Sequence, residues 1–201
     1  MSERLTHEGG EGAGGDEGAH TGLEDVMLQD TWTFRFHDPN NSDWTMPSYV
    51  SMANVSSVAD MWDVHMGMQQ HLTEGMFFVT REHVFPCWDD ASNIKGGCIS
   101  LKVLKTELHT FWEEILIGML GETLLVLPPE DSCSEDAWSL INGISTSPKR
   151  YYCIVKLWLR DGGNSQREHF RLPCNYQGEV LYKSNTEMMR SNLRTDTKGR
   201  A

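Results

Sequence analysis

In its 201 residues the chain has no apolar run approaching the roughly 18 residues needed to cross a bilayer, which excludes a helical membrane span. Its Gly/Glu-rich opening also lacks the charged-then-apolar layout of a secretory signal. A soluble intracellular protein, cytoplasmic and able to enter the nucleus, is expected. Cysteine is sparse: Cys87, Cys98, Cys133, Cys153 and Cys174 are odd in number and form no C-x-x-C pair. This suits a reducing compartment and offers no zinc signature. Cations are scarce as well, with 17 Lys+Arg against 29 Asp+Glu and a net charge of -12. That balance argues against a basic surface coating a nucleic-acid backbone, though not against a local basic pocket. There is no G-x-S-x-G, Walker loop, H-E-x-x-H or G-x-G-x-x-G. Asp89 and Asp90 are adjacent carboxylates, but acid–base work would need a partner His or metal beside them. A non-enzyme without cofactor or metal is expected.

What the chain does have is tryptophan, seven of them, equal to Phe and more than Tyr. Its charge is also unevenly placed. Residues 1–24 hold six acids (Glu3, Glu8, Glu11, Asp16, Glu17, Glu24) against Arg4 and carry seven of the 18 glycines. Such a stretch cannot bury enough apolar surface to offset its ordering entropy, so residues 1–25 read as a disordered acidic tail. The other end, with Arg190, Arg194, Lys198 and Arg200, reads as a flexible basic arm over residues 187–201. Between them, residues 26–186 are long enough for one domain with its own core.

Alternation at Thr31 to Phe36 puts Trp32, Phe34 and Phe36 on one face of a strand, and D-P-N-N (Asp38 to Asn41) supplies a turn. Further strands are predicted at Met76 to Val79, Cys98 to Leu104, Trp138 to Ile144, Tyr151 to Arg160 and Glu179 to Ser184, with Ser145 to Lys149 as a turn. Helical spacing predicts helices from about Ser57 to Leu72 and from Thr106 to Gly121, the glycine serving as the stop. In the second, Leu108, Phe111, Trp112, Ile115, Met119 and Leu120 sweep one apolar arc, while Ile117 falls among polar residues. The order of elements predicts an α+β fold, an antiparallel sheet with helices on one side.

The strand Arg150 to Arg160 sets Tyr151, Cys153, Val155, Leu157 and Leu159 on a core face. Its other face carries Arg150, Tyr152, Ile154, Lys156, Trp158 and Arg160, the cations and rings that bind phosphate and stack on bases. Taken alone, that face also fits a solvated sheet surface with snorkelling side chains. Trp44 and Trp88 lie in loop-like sequence, where a Trp is better explained as a stacking or anchoring group than as core. Trp32, Trp62, Trp112 and Trp138 default to core, and most histidines are expected to be exposed.

In order along the chain stand L-Q-D-T-W (Leu28 to Trp32), the loop Trp44, S-V-A-D-M-W (Ser57 to Trp62), P-C-W-D-D (Pro86 to Asp90), K-G-G (Lys95 to Gly97), F-W-E-E-I-L-I-G-M-L-G-E (Phe111 to Glu122) and V-K-L-W (Val155 to Trp158). This set, from about Met27 to Asn185, resembles the cap-binding translation initiation factor 4E family. The resemblance implies a curved sheet with helices on its convex face and a cap pocket on its concave side. It further implies that Trp44 and Trp88 sandwich 7-methylguanine, whose positive charge adds cation–π attraction to stacking. Asp89 would accept hydrogen bonds from the guanine edge and Trp158 would pack against the methyl group. The family has Glu more often than Asp at the acidic position.

The resemblance weakens at the phosphates. The family's Arg and Lys slots read as Ile144 or Ser145 and as Ile154, and the basic residue usual after the double glycine is Cys98. Lys149, Arg150 and Lys156 are the expected substitutes. The stretch Leu125 to Glu135 reads as extended and Asp161 to Tyr176 as too short for the family's long helix; the basic arm could reach downstream RNA. On the opposite surface, Val58, Trp62, Glu114, Ile117 and Gly121 match the positions that receive an amphipathic partner helix. Glu113 replaces the usual Leu there, and Val26 the Pro of a His-Pro-Leu segment. The implied function is recognition of capped mRNA together with recruitment of a scaffold factor of the 4G type or a 4E-binding protein, by a chain monomeric apart from that partner. The alternatives are a repressor or adaptor with weakened cap binding and, more remotely, a hydrolase working through Asp89 and Asp90.

Overall fold

A computed structural model describes residues 26–126, 139–163 and 165–190. Trp138, the expected tail (1–25), nearly all of the stretch read as extended and most of the basic arm lie outside those residues. Among the described residues seven strands form one sheet: β1 (Met27–His37), β2 (Val50–Ser57), β3 (Met76–Arg81), β4 (Gly97–Leu104), β5 (Ile141–Pro148), β6 (Tyr152–Leu159) and β7 (Val180–Ser184). Every neighbouring pair is antiparallel, in the order β2-β1-β3-β5-β6-β4-β7. Helices α1 (Val58–Gln69) and α2 (Leu108–Leu120) complete an α+β fold around an open, curved sheet.

The period-2 pattern decides which side the helices cover. Trp32, Phe34, Phe77, Val79, Ile99, Leu101, Val103, Ile144, Val155 and Leu157 point to one face and are buried. Onto them pack Met61 and Met68 of α1 and Leu108, Phe111, Trp112, Ile115, Leu116, Met119 and Leu120 of α2. Each such side chain, withdrawn from water, contributes on the order of 1.5–3 kcal/mol, so this layer is the main source of stability. The opposite face holds a small second cluster among the described residues, Phe78, Cys98 and Trp158, with Tyr49, Met76 and Trp88 packed against it.

Local chemistry explains several boundaries. Ser57 caps α1, its hydroxyl accepting the Asp60 amide at 3.1 Å and satisfying an otherwise orphan donor. Gly121 does follow α2, but with φ -84; the left-handed residue is Glu122, at φ 53. The double glycine of K-G-G answers to space: a Cβ on Gly96 would lie 1.8 Å from the Leu159 carbonyl oxygen, and one on Gly97 2.3 Å from that of Lys183. Larger residues there would push β6 and β7 apart.

Several expectations need correction. β2 was not expected as a strand. β5 begins at Ile141 and runs through the segment read as a turn, so Ser145 and Thr146 are buried sheet residues. Tyr151 lies before β6 in the hairpin connection and is 67% exposed instead of facing the core. Residues 185–190 coil into a short helix directly after β7. Two histidines, His37 and His65, are fully buried. Between β6 and β7 only a 3-10 turn, Arg167–His169, is present among the described residues, in keeping with the missing long helix. No helix among the described residues is long and apolar enough to cross a membrane.

Candidate functional site

The uncovered sheet face forms the floor of a cleft of about 740 Å³, lined by Trp44, Tyr49, Met76, Phe78, Cys87, Trp88, Asp89, Ser145, Ser147, Lys149, Lys156, Trp158 and Met189, with three prolines. Strand register builds it. Phe78 lies opposite Ser145, Ser145 opposite Lys156, and Lys156 opposite Ser100, a row running across four strands. One pleat along β6, Trp158 lies opposite Cys98. Trp158 is 3% exposed, and its indole Nε1–H donates to the Ser145 hydroxyl at 3.0 Å. Ser145 therefore fixes the ring at the cleft floor. Burial pushes the Cys98 thiol up to about 12, the nearby Lys156 ammonium pulling the other way.

The loop carrying Trp88 is clamped by polar side chains. Asn93, fully buried, donates to the carbonyls of Phe85 at 3.0 Å and Cys87 at 2.9 Å. Asn142 of β5 donates to Ser92 O at 2.7 Å and Asn93 Oδ1 at 2.9 Å, and Asn185 donates to Asn93 O at 2.8 Å. Asp90 turns inward, accepting the amides of Ser92 at 2.8 Å and Phe85 at 3.3 Å. Its neighbour Asp89 is exposed and lines the cleft. The two adjacent carboxylates thus do different jobs, one structural and one available to a ligand. Among the described residues no group of three or more His, Cys, Asp and Glu could hold a metal ion. Burial, assisted by its hydrogen bond to Asp89, pushes the Cys87 thiol up to about 12.

Trp44 reaches the cleft from a loop held by local Asx contacts: Asn40 N to Asp38 Oδ1 at 2.8 Å, Asp43 N to Asn41 Oδ1 at 2.9 Å and Thr45 N to Asp43 Oδ1 at 2.8 Å. It is 51% exposed, yet stacks in parallel on His37 with ring centres 4.3 Å apart. Tyr49 joins the group edge-on to Phe78 and Phe85 at 5.3 and 4.9 Å. Lys149 and Lys156 supply positive charge to the cleft. Arg150 is not among its lining residues; its guanidinium lies 4.9 Å from the Tyr151 ring centre.

On the helical side, α1 presents Val58 and Trp62, both half-buried, and Met66, 63% exposed; α2 presents Glu114 and Ile117, the latter 44% exposed, followed by exposed Gly121. His65 joins the two helices, its Nε2 lying 3.2 Å from Glu113 Oε2, with Trp62 edge-on at 5.6 Å. The helices together carry Asp60, Asp63, Glu113 and Glu114 and neither Lys nor Arg. This surface is apolar at its centre and anionic around it.

The eukaryotic initiation factor 4E family model matches residues 27–198. The chain belongs to that family. It is 28% identical to the initiation factor 4E-4 of Caenorhabditis elegans, over 74% of this chain and 68% of the relative, and 25% identical to the Drosophila melanogaster factor 4E1, over 69% of this chain. The latter match spans only about half, 52%, of the fly protein's length. Among solved structures, Ascaris suum eIF4E-3 in complex with the m2,2,7G cap is 25% identical, with a TM-score of 0.57 over 69% of this chain and 75% of that one. Caenorhabditis elegans eIF4E-3, bound to the 4E-binding protein Mextli and a cap analog, has a TM-score of 0.66 over 82% and 95% of the two chains. At 17% identity that likeness concerns the fold alone.

The sequence did not single out His37, Asn93, Asn142 or Met189 as parts of this site, and it named Ser145 only as one of two residues in the family's Arg slot. Register from the 4E signatures could have flagged Ser145. For His37 the signal was weaker: a polar ring closing an aromatic strand just before a turn.

Proposed function

We propose that this 4E-family chain binds the 7-methylguanosine cap of mRNA in the cleft and an amphipathic helix on the helical face. It thereby controls translation initiation and catalyses no reaction. The observation that carries the reading is convergence: Trp44, Trp88 with Asp89, and Trp158 come from three separate segments and line one cleft. A methylated guanine is flat and positively charged, so each indole face adds cation–π attraction to stacking of about 1–3 kcal/mol per base. Asp89 suits the two N–H donors of the guanine edge, because a charge-assisted bond is roughly twice as strong as a neutral one. Lys149 and Lys156 face the triphosphate as point charges, with Arg150 flanking them at the hairpin.

The helical face suits a scaffold factor of the 4G type or a 4E-binding protein presenting apolar anchors to Val58, Trp62, Ile117 and Gly121. Glu113 and Glu114 add a preference for basic residues beside those anchors. A second reading rests on the cation supply. With Ile144 or Ser145 and Ile154 in the family's basic slots, phosphate binding in the cleft relies on two lysines. That favours an adaptor or repressor with weakened cap affinity, working chiefly through its protein partner.

Tryptophan fluorescence titration with 7-methylguanosine triphosphate beside GTP separates these readings. Methyl-selective quenching abolished by Trp88→Ala supports cap binding. Absent quenching from a folded chain that still binds an amphipathic Tyr-x-x-x-x-Leu peptide establishes the adaptor reading instead.

A further inference from the structure

We propose that His37 is a positioning residue of the cleft. It holds Trp44 in place through an imidazole that carries its hydrogen on Nε2, and so sets one stacking wall for a cationic base. The inference rests on the cap reading and adds a specific control to it.

The geometry fixes the tautomer. His37 ends β1, is fully buried, and its ring lies parallel to Trp44, 4° from coplanar at 4.3 Å. Its Nε2 is 2.7 Å from the carbonyl oxygen of Asp43. A carbonyl can only accept, so Nε2 carries the hydrogen. Nδ1 is buried and has no hydrogen-bond partner among the described residues. A second proton would therefore create a buried N–H with no acceptor, on a ring that had just become charged, and both changes are costly.

The contact matters because it is the closest ring contact that Trp44 makes, Tyr49 meeting the indole edge-on at 6.4 Å. The indole is half exposed and its loop is held by bonds within the loop. His37 therefore grips this loop twice, through the ring stack and through the carbonyl of the residue immediately before Trp44. A base stacked on the other indole face would share Trp44 with the imidazole. A neutral imidazole leaves the indole's electron density to the methylated base. An imidazolium would compete for it and add a second positive charge on the far side of one ring.

The charged groups around His37 do not cancel this. Asp43 is fully solvent-exposed, and its carboxyl is held below the usual range chiefly by the Thr45 amide, with a smaller contribution from His37 itself. It favours a charged imidazole, but water and salt screen it. Tyr49, whose ring centre lies 4.8 Å from that of His37, is neutral because burial pushes its phenol up to about 12. From β3 the register neighbour is Met76, which does not titrate.

The test uses the whole chain, titrated with 7-methylguanosine triphosphate at about pH 7.5. Wild type, His37→Phe and His37→Ala are compared. His37→Phe keeps a planar ring against Trp44 but has no nitrogen for the Asp43 carbonyl, and is expected to bind only severalfold more weakly than wild type; His37→Ala loses both contacts and is expected to bind about tenfold more weakly. Full-strength binding by His37→Ala overturns the proposal. Because a variant could fail to fold, nitrogen NMR of the wild-type imidazole gives a second reading: the Nε2–H tautomer is expected, and an Nδ1–H tautomer refutes it. A folded wild type with no methyl-selective quenching defeats the cap reading and this proposal together, whereas normal wild-type binding with an unaffected His37→Ala defeats only the proposal.

Discussion

The two faces of the sheet both use tryptophan, but in different ways. Beneath the helices, Trp32 and Trp112 are 2% and 0% exposed and belong to a continuous apolar layer. On the other side, Trp44 is 51% exposed, Trp88 is half-buried, and only Trp158 is enclosed, with its indole nitrogen bonded to Ser145. One face has its partners within the chain, whereas the other keeps ring surface in reserve. Stability and recognition are thus separated by the pleat of the same strands, and neighbouring residues on β6, such as Leu157 and Trp158, belong to different tasks.

The sharpest way to test that separation is to damage each face alone. Trp112→Ala should cost about 3–5 kcal/mol, as large-to-small core changes do, and lower the denaturation midpoint while reducing ligand and peptide binding only through unfolding. Trp88→Ala should leave the midpoint nearly unchanged and reduce methylguanosine affinity about tenfold to a hundredfold, the loss of one stacking wall, as read by fluorescence titration. A large fall in stability for Trp88→Ala would mean that the cleft face is core after all. Lys156→Ala should weaken the triphosphate by about tenfold while barely affecting methylguanosine nucleoside, since a charged hydrogen bond is worth about 1.5–3 kcal/mol. Equal losses for both ligands would place Lys156 away from the phosphates.

On the helical face, Glu113→Leu should leave cap titration unchanged. It should shift peptide preference severalfold, by roughly 0.5–1.5 kcal/mol, from a basic towards an all-apolar helix, measured by calorimetry with paired peptides. The smallest effect concerns cysteine. With its thiol pushed up to about 12, mainly by burial, Cys87 has little thiolate at pH 8. Iodoacetamide should modify exposed Cys174 well before Cys87, and the Cys87 rate should rise only in strongly alkaline solution. Fast labelling of Cys87 would mean that the cleft wall is looser than its packing implies.

How much of this could be read in the chain follows the same division. The helix-covered face was legible because Ile99, Leu101 and Val103, or Leu108 to Leu120, repeat at the period of their element. Of the three cleft tryptophans, Trp158 was legible from the alternation of its strand, whereas Trp44 and Trp88 stood out only by their loop composition and motifs, since loop residues obey no period. β2 escaped notice because, as an edge strand, it buries only Val55 and Ser57 and shows no alternation. S-T-S-P looks like a turn by composition, yet Ser145 and Thr146 lie in the sheet interior, where neighbouring strands pair on both sides. Tyr151 continued the alternation on paper, but the hairpin connection breaks it. The buried histidines and the three asparagines depend on partners 6 to 92 residues away, which no local pattern encodes.

One of those distant contacts sets the order in which the protein can be completed. The Trp88 loop is fastened by Asn185 through the carbonyl of Asn93, a contact spanning 92 residues, and Asn185 directly follows β7, the last strand. During synthesis the helix-covered layer can start to assemble from earlier elements, because β1, α1, β3, β4, α2, β5 and β6 all precede it. The cleft cannot be finished until the chain has been made past residue 185 and β7 has added to β4. A ribosome-bound chain paused before that point would hold most of a stable core and an unfinished site, so ligand binding by stalled nascent chains should switch on only once residue 185 has left the ribosome.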